Sequence, residues 1–290
     1  MKSYRNPSLN RLEAEYEQQK NKYNALKNDW NMLIRNYYKK NMGVNLIEGV
    51  NRSQINIRIE AAPKQGFIDI IEKNYPNLDF EELYALTQYV EAAKEAEHYF
   101  AEKNARQHLN MSVEYAKYRL KEFEILQLTD SIFPFLEPQN KDVFGSYNVD
   151  KNSIEIYVFP IKLFCILHGL DDTALFIIVL AHELAHGYNH IGLDKDNEQW
   201  EGFGYAEDNI VEGLAQYYTQ SFIANYAYKN GLLPIVFEKL MSFQPEPYTI
   251  FKNWDVSLER IYRAFIETRR NNICKYADFE IKLNNAKSSI

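Results

Sequence analysis

Bulky and polar positions follow several distinct rhythms along the chain. Leu9, Leu12, Tyr16, Tyr23, Leu26, Trp30, Leu33 and Tyr37 are spaced by alternating steps of three and four, with Gln19 at the one polar seam position. That period predicts a helix with a heptad stripe over 9–37. A second tract, 80–128, is rich in Ala, Glu, Lys and Leu and free of Pro and Gly, so it too reads as helix, able to pair with the first as an antiparallel hairpin. Between them Ile55, Ile57 and Ile59 alternate with Asn56, Arg58 and Glu60, the two-residue period of a short half-buried strand whose partner the pattern does not name. After Pro134 and Pro138 the alternation returns. Tyr147 and Val149 precede the turn Asp150-Lys151-Asn152-Ser153, and Ile154, Ile156 and Val158 follow it, which predicts a β-hairpin over 143–159.

Gly169 and the pair Asp171-Asp172 then introduce Leu175 to Leu180, consecutive apolar residues that cover every side of a helix. Such a helix must be buried all round. A polar connection from Ile191 to Asp208 leads to a further helix that starts near Asn209 and stops at the cap signal Asn230-Gly231. Beyond a stretch containing Pro234, Pro245 and Pro247, the positions Leu258, Ile261, Tyr262, Phe265 and Ile266 define one more amphipathic helix. No internal repeat or low-complexity tract interrupts the pattern. The expected fold is therefore mostly helical α+β, with a helical N-terminal region over 1–130 and a second region over 131–290 that holds the hairpin and the buried helix.

Composition narrows the class of partner. The chain has 290 residues, 46% of them hydrophobic and 25% charged, enough for a sizeable core. A formal charge of -7 leaves no basic surplus for phosphate binding, so nucleic acid is not an expected partner. The longest apolar run, Ala174 to Ala181, is far below the roughly 20 residues of a membrane span, and no membrane partner is expected. The residues Met1 to Pro7 lack an apolar leader core, and Cys165 and Cys274 show no paired spacing; both features point to a reducing, cytoplasmic setting.

The chemistry concentrates in His182-Glu183-Leu184-Ala185-His186, inside the buried helix. Histidines four apart lie about 6 Å from each other on one helical face, so both imidazoles can reach one ion at the roughly 2.0–2.1 Å that zinc requires. Glu183, about 100° further round, stays off the metal yet beside its open position, where a general base belongs. These residues resemble the H-E-x-x-H signature of the zincin metallopeptidases. Val179-Leu180-Ala181 before the motif, Leu184-Ala185 within it and Gly187-Tyr188 after it keep that signature's uncharged setting. The resemblance is specific over these positions and diffuse over 143–229. It implies a zincin-like catalytic region in which a hairpin, an active-site helix and a ligand helix surround Zn²⁺.

A catalytic zinc usually takes three protein ligands and a water. The metzincin position for the third is Gly192 here, and His190 is misplaced for it: in a continuing helix it would lie about 12 Å along the axis from His182. If Gly187 ends the helix, His190 lines the cleft or stands solvated beyond it. The gluzincin subclass takes a glutamate from a following helix, often as Glu-x-x-Ala, and Glu212-Gly213-Leu214-Ala215 matches. Small Gly213 and Ala215 would let that helix approach the active-site helix closely. Glu212 also reads as the far end of a capping box begun by Asn209, which leaves Glu207 as the other candidate ligand. Asp194-Lys195-Asp196-Asn197-Glu198 begins like a calcium loop but has Gln199 and Tyr205 where Gly and Glu are required, so it reads as a solvated acidic segment in a connection long enough to border the cleft. His98, His108 and His168 have no ligand spacing and read as structural.

The resemblance thus implies a zinc metallopeptidase acting on a peptide or protein substrate: His182, His186 and Glu212 hold Zn²⁺, Glu183 is the general base, and the hairpin offers an edge strand to an extended peptide. Tyr205, Tyr217, Tyr262, Arg263 and His190 are equal candidates for oxyanion donor. Two other readings stand beside it. One is an interaction or regulatory protein whose heptad helix meets a second copy or a partner on a zincin scaffold, although Tyr and Trp at seam positions suit internal packing better than a regular coiled coil. The other is a zinc hydrolase of non-peptide amides.

Overall fold

The computed structural model describes residues 6–46, 55–60, 144–254 and 256–285, with scattered positions between 68 and 79. The 80–128 tract and the division at 130/131 lie outside the described residues. The chain forms two compact units interleaved in sequence: 1–21, 60–144 and 157–172 in one, 22–59, 145–156 and 173–290 in the other. What is described is mostly helical with one three-stranded sheet, an α+β arrangement. In the first unit α2 (Val158–His168) ends where Gly169 takes the left-handed conformation, φ 61, and donates its N–H to the Cys165 carbonyl. The candidate chemistry lies in the second unit.

Helix α1 runs Pro7–Asn41. Its part in the second unit buries Tyr23, Trp30, Ile34, Tyr37 and Tyr38, while Leu26 and Leu33 are only half-buried. The stripe has rotated away from a strict heptad, as an unsupercoiled 3.6-residue helix requires. Trp30 and Tyr37 meet Phe222 edge-on at centroid distances of 6.1 and 5.7 Å, and Tyr38 meets Tyr188 at 5.6 Å. These aromatic residues are thus packed inside the unit itself.

The sheet comprises β1 (Asn56–Glu60), β2 (Gly145–Asn148) and β3 (Ser153–Tyr157), in the order β1-β3-β2. β3 is the partner that the Ile57/Ile59 alternation lacked. β2 and β3 are antiparallel, Gly145 opposite Ile156 and Tyr147 opposite Ile154. The turn between them is closed by Asn148 Oδ1, which accepts the Lys151 N–H at 2.9 Å, and by Asn152 at φ 47, a conformation that Asn tolerates. The hairpin is shorter than expected. Val158 opens α2 instead of extending the strand, and Pro160 falls in that helix's first turn, where its missing N–H costs nothing.

Helix α3 (Asp172–Ile191) is buried at every position from Ala174 to Asn189, as its apolar run demands. Gly187 does not end it. Instead the glycine makes room for the sheet: a Cβ there would run into the Ile55 side chain and come within 3.4 Å of the Tyr147 ring. The C-terminal carbonyls of α3 are gathered by buried Arg269, whose guanidinium donates to the Asn189 and Gly192 carbonyls and, at 2.9 Å, to that of Glu198. A cation at this end also complements the helix dipole.

Helix α4 (Asp208–Tyr226) stops short of Asn230-Gly231. That pair instead starts α5 (Leu232–Met241), with Asn230 Oδ1 accepting the Leu232 N–H at 3.0 Å. Pro234 and Pro247 sit in the first turns of α5 and of α6 (Glu246–Thr249), so the proline-punctuated stretch is helical. Helix α7 (Leu258–Arg270) buries Ile261, Ala264, Phe265, Thr268 and Arg269, and α8 (Tyr276–Asn285), which no pattern announced, buries Phe279 and Leu283.

Candidate metal centre

The 3.6-residue period puts His182 and His186 on one face of α3, and the first turns of α4 bring Glu212 up to them. The two Nε2 atoms are 3.0 Å apart, and Glu212 Oε2 lies 3.1 Å from His182 Nε2 and 3.3 Å from His186 Nε2. A tetrahedral ion with ligands about 2.0–2.1 Å away holds its ligand atoms about 3.3–3.4 Å from one another. The observed triangle is close to that size. All three side chains are buried, at 8%, 6% and 8% exposure, and among the described residues they form the one group of His, Cys, Asp or Glu with donor atoms converging in this way.

Protonation follows the same logic. Burial and the neighbouring His186 push the His182 pKa below its ordinary value, so its ring is neutral and keeps a lone pair for a metal. Burial works against the Glu212 carboxylate, but the two imidazoles facing it outweigh burial and hold its pKa well below the usual range. A neutral His182 ring and an ionised Glu212 carboxylate are the forms in which these two groups ligate. The donor set fits a divalent cation.

The alternatives for the third carboxylate separate clearly. Glu212 does not reach back as a cap, because its oxygen is turned to the histidines. The residue at the N-cap is Glu207, whose side chain accepts the Tyr276 N–H at 2.8 Å and is thereby tied to the start of α8. Gly213 serves another neighbour than expected: its open face is filled by Ile250 and Trp254, with a Cβ there only 2.8–2.9 Å from them. That approach seats the 3₁₀ turn Ile250–Asn253, which follows α6, and Trp254 on α4. Glu183, buried like the ligands at 6% exposure, lies against the start of β2 at Gly145.

The surroundings correct other expectations. His190 is neither post-helical nor solvated: α3 continues past it, Tyr147 Oη lies 3.0 Å from its Nδ1, and its ring stacks on Phe203 at 5.1 Å. Burial and the nearby Arg269 charge lower its pKa to about 4. Lys195 to Glu198 are exposed, as a solvated segment should be, but Asp194 is buried. Its Oδ1 accepts the Asp196 and Glu198 amides at 2.8 and 3.1 Å and its Oδ2 pairs with Arg270 at 3.3 Å, so its oxygens serve a tight local turn. His168 packs on Phe164 at 4.5 Å, whereas His98 and His108 lie outside the described residues.

The 191–208 connection does reach the site, through Phe203 at 6.2 Å from the His186 ring. Of the five oxyanion candidates, Tyr205 is 87% exposed, Arg263 is paired on the surface with Glu259, Tyr262 covers Gly43 and Tyr217 packs on Trp254. Beside His182 lies Tyr248 of α6, whose ring stacks on it at 5.7 Å and 27°. Nothing in the local sequence singled it out, because it arrives through the packing of α6 on α4. No known protein family, curated protein or solved structure matches the chain.

Proposed function

We propose that the chain is a zinc metallopeptidase of the gluzincin kind. The observation that carries this reading is the buried triangle of His182, His186 and Glu212, two imidazoles and one carboxylate, the donor set of zinc peptidases that bind their metal through His₂Glu. Zinc held by these three atoms supplies Lewis acidity at the open side of the site. Glu183, next in the chain to a ligand yet pointing off the ligand face, accepts a proton at its carboxylate from the attacking water and delivers it to the leaving amine.

Among the described residues the strand order leaves β2 at an edge of the sheet. The Tyr157 N–H donates to the Phe144 carbonyl at 2.8 Å, and the antiparallel alternation then turns the backbone groups of Gly145 and Tyr147 away from β3. An extended peptide adds to that edge as a further strand, its carbonyls and amides meeting those two residues. This arrangement supports a polypeptide substrate over a small amide. The packing of Trp30, Tyr37 and Tyr38 on Phe222 and Tyr188 of their own unit favours this reading over an interaction protein that uses the α1 stripe.

Glu183→Gln tests the assignment. In zinc-loaded protein it is expected to keep stoichiometric zinc by elemental analysis while hydrolysis of an unstructured peptide library falls about 10²–10⁴-fold. Loss of zinc in this variant would make Glu183 a ligand or a structural residue, and failure of the wild-type protein to cleave any peptide would end the peptidase reading.

A further inference from the structure

We propose that Gly145 is a positioning residue for Glu183; its catalytic meaning rests on the peptidase reading above, its physical basis on the approach of β2 to α3. The backbone at Gly145 is not in the left-handed region, which among the described glycines is confined to Gly43 and Gly169. Glycine is therefore not demanded there by the chain's conformation. It is demanded by space. A Cβ at position 145 would lie 2.8 Å from Val179 Cγ1 and 3.0 Å from both Cγ and Oε1 of Glu183, closer than carbon atoms tolerate.

The crowding must be relieved somewhere, and the surroundings leave little choice. The strand cannot easily retreat. Gly145 is held opposite Ile156, which is fully buried, and two residues further Tyr147 is tied to His190 of α3 at 3.0 Å. Ile55 and Tyr147 close over Gly187 one helical turn beyond Glu183, pressing the same sheet onto the same helix. Val179 is β-branched on a fully buried helix and has one preferred rotamer. Between the two contacts the Glu183 side chain gives way more readily, because its terminal carboxylate rotates about softer torsions than a β-branched residue has. The bare backbone of Gly145 therefore sets where that carboxylate rests, and it does so on the edge strand to which substrate would pair. One residue fixes both the base and the distance of a docked peptide from it.

A double-mutant cycle on the full chain tests this without relying on activity. Gly145→Ala is made with Glu183 present and in the Glu183→Ala background, and both again with Val179→Ala, which removes the 2.8 Å contact and keeps the alanine variant foldable should the single one fail. In the Val179→Ala context, where the 2.8 Å contact is gone, the melting temperature lost to Gly145→Ala is expected to shrink by at least about half when the 183 carboxylate is absent. Equal losses in both backgrounds would make Gly145 a packing residue and overturn the proposal. In zinc-loaded protein Gly145→Ala, Val179→Ala is expected to show kcat about 100-fold below that of Val179→Ala with zinc content unchanged; unchanged kcat would also overturn it. A wild-type protein that cleaves no peptide would overturn the peptidase reading instead, and the cycle would still decide the role of Gly145.

Discussion

Glu212 was open to two readings, ligand or helix cap, and they predict losses in different quantities. Its oxygen lies 3.1 and 3.3 Å from the two histidines, so Glu212→Ala is expected to weaken zinc binding by more than tenfold in a competition titration. Glu207→Ala should leave zinc affinity unchanged and lower stability by about 0.5–2 kcal/mol, the range for altering a helix start. His190 supports a prediction in pH. Its pKa is near 4 in the folded chain against about 6.5 unfolded, so between these values the unfolded chain binds the additional proton and stability falls as pH falls. At a half-buried ring, solvent screening reduces the effect to about 1–2 kcal/mol. Urea titrations from pH 7 to pH 4 should show a shallower decline for His190→Gln than for wild type.

At the scale of the element, α3 depends on what closes its two ends and its sheet-facing side. Arg269 serves the Asn189 carbonyl in the last turn of α3 and those of Gly192 and Glu198 beyond it with one planar group. Arg269→Met is expected to cost about 3 kcal/mol or more by leaving buried acceptors unpaired, and Arg269→Lys to recover only part, since a single ammonium cannot fork; chemical denaturation measures both. The existence of α1, α3, α4 and α7 was legible because their apolar positions recur with helical period. The misplaced ends are those where a residue type has two uses. Gly187 looked like a terminator and is a contact with the sheet; Asn230-Gly231 looked like a stop and is a start; Val158 looked like strand and is helix. In each case the local preference is weak and the neighbouring element chose.

For the whole molecule a metal ion held by His182, His186 and Glu212 would be a stabilising link between α3 and α4. Scanning calorimetry is expected to show unfolding shifted upward by zinc and restored by a chelator, by about 4 kcal/mol at free zinc 1,000-fold above its Kd, with one ion bound per chain. His182, Glu183 and His186 carried their chemistry in the sequence itself, because helix geometry is local: residues four apart share a face wherever the helix lies. The all-round burial of that helix was equally explicit in Leu175–Leu180. What only the tertiary structure decided was which carboxylate completes the triangle, that Tyr248 lies over His182, that β3 partners β1, and that Gly145 lies against Glu183. These contacts join residues far apart in sequence: 30 positions between His182 and Glu212, 38 between Gly145 and Glu183 and 66 between His182 and Tyr248. No periodicity reaches across such intervals, so these contacts are set by how small and large side chains fit when helices and sheet close on one another.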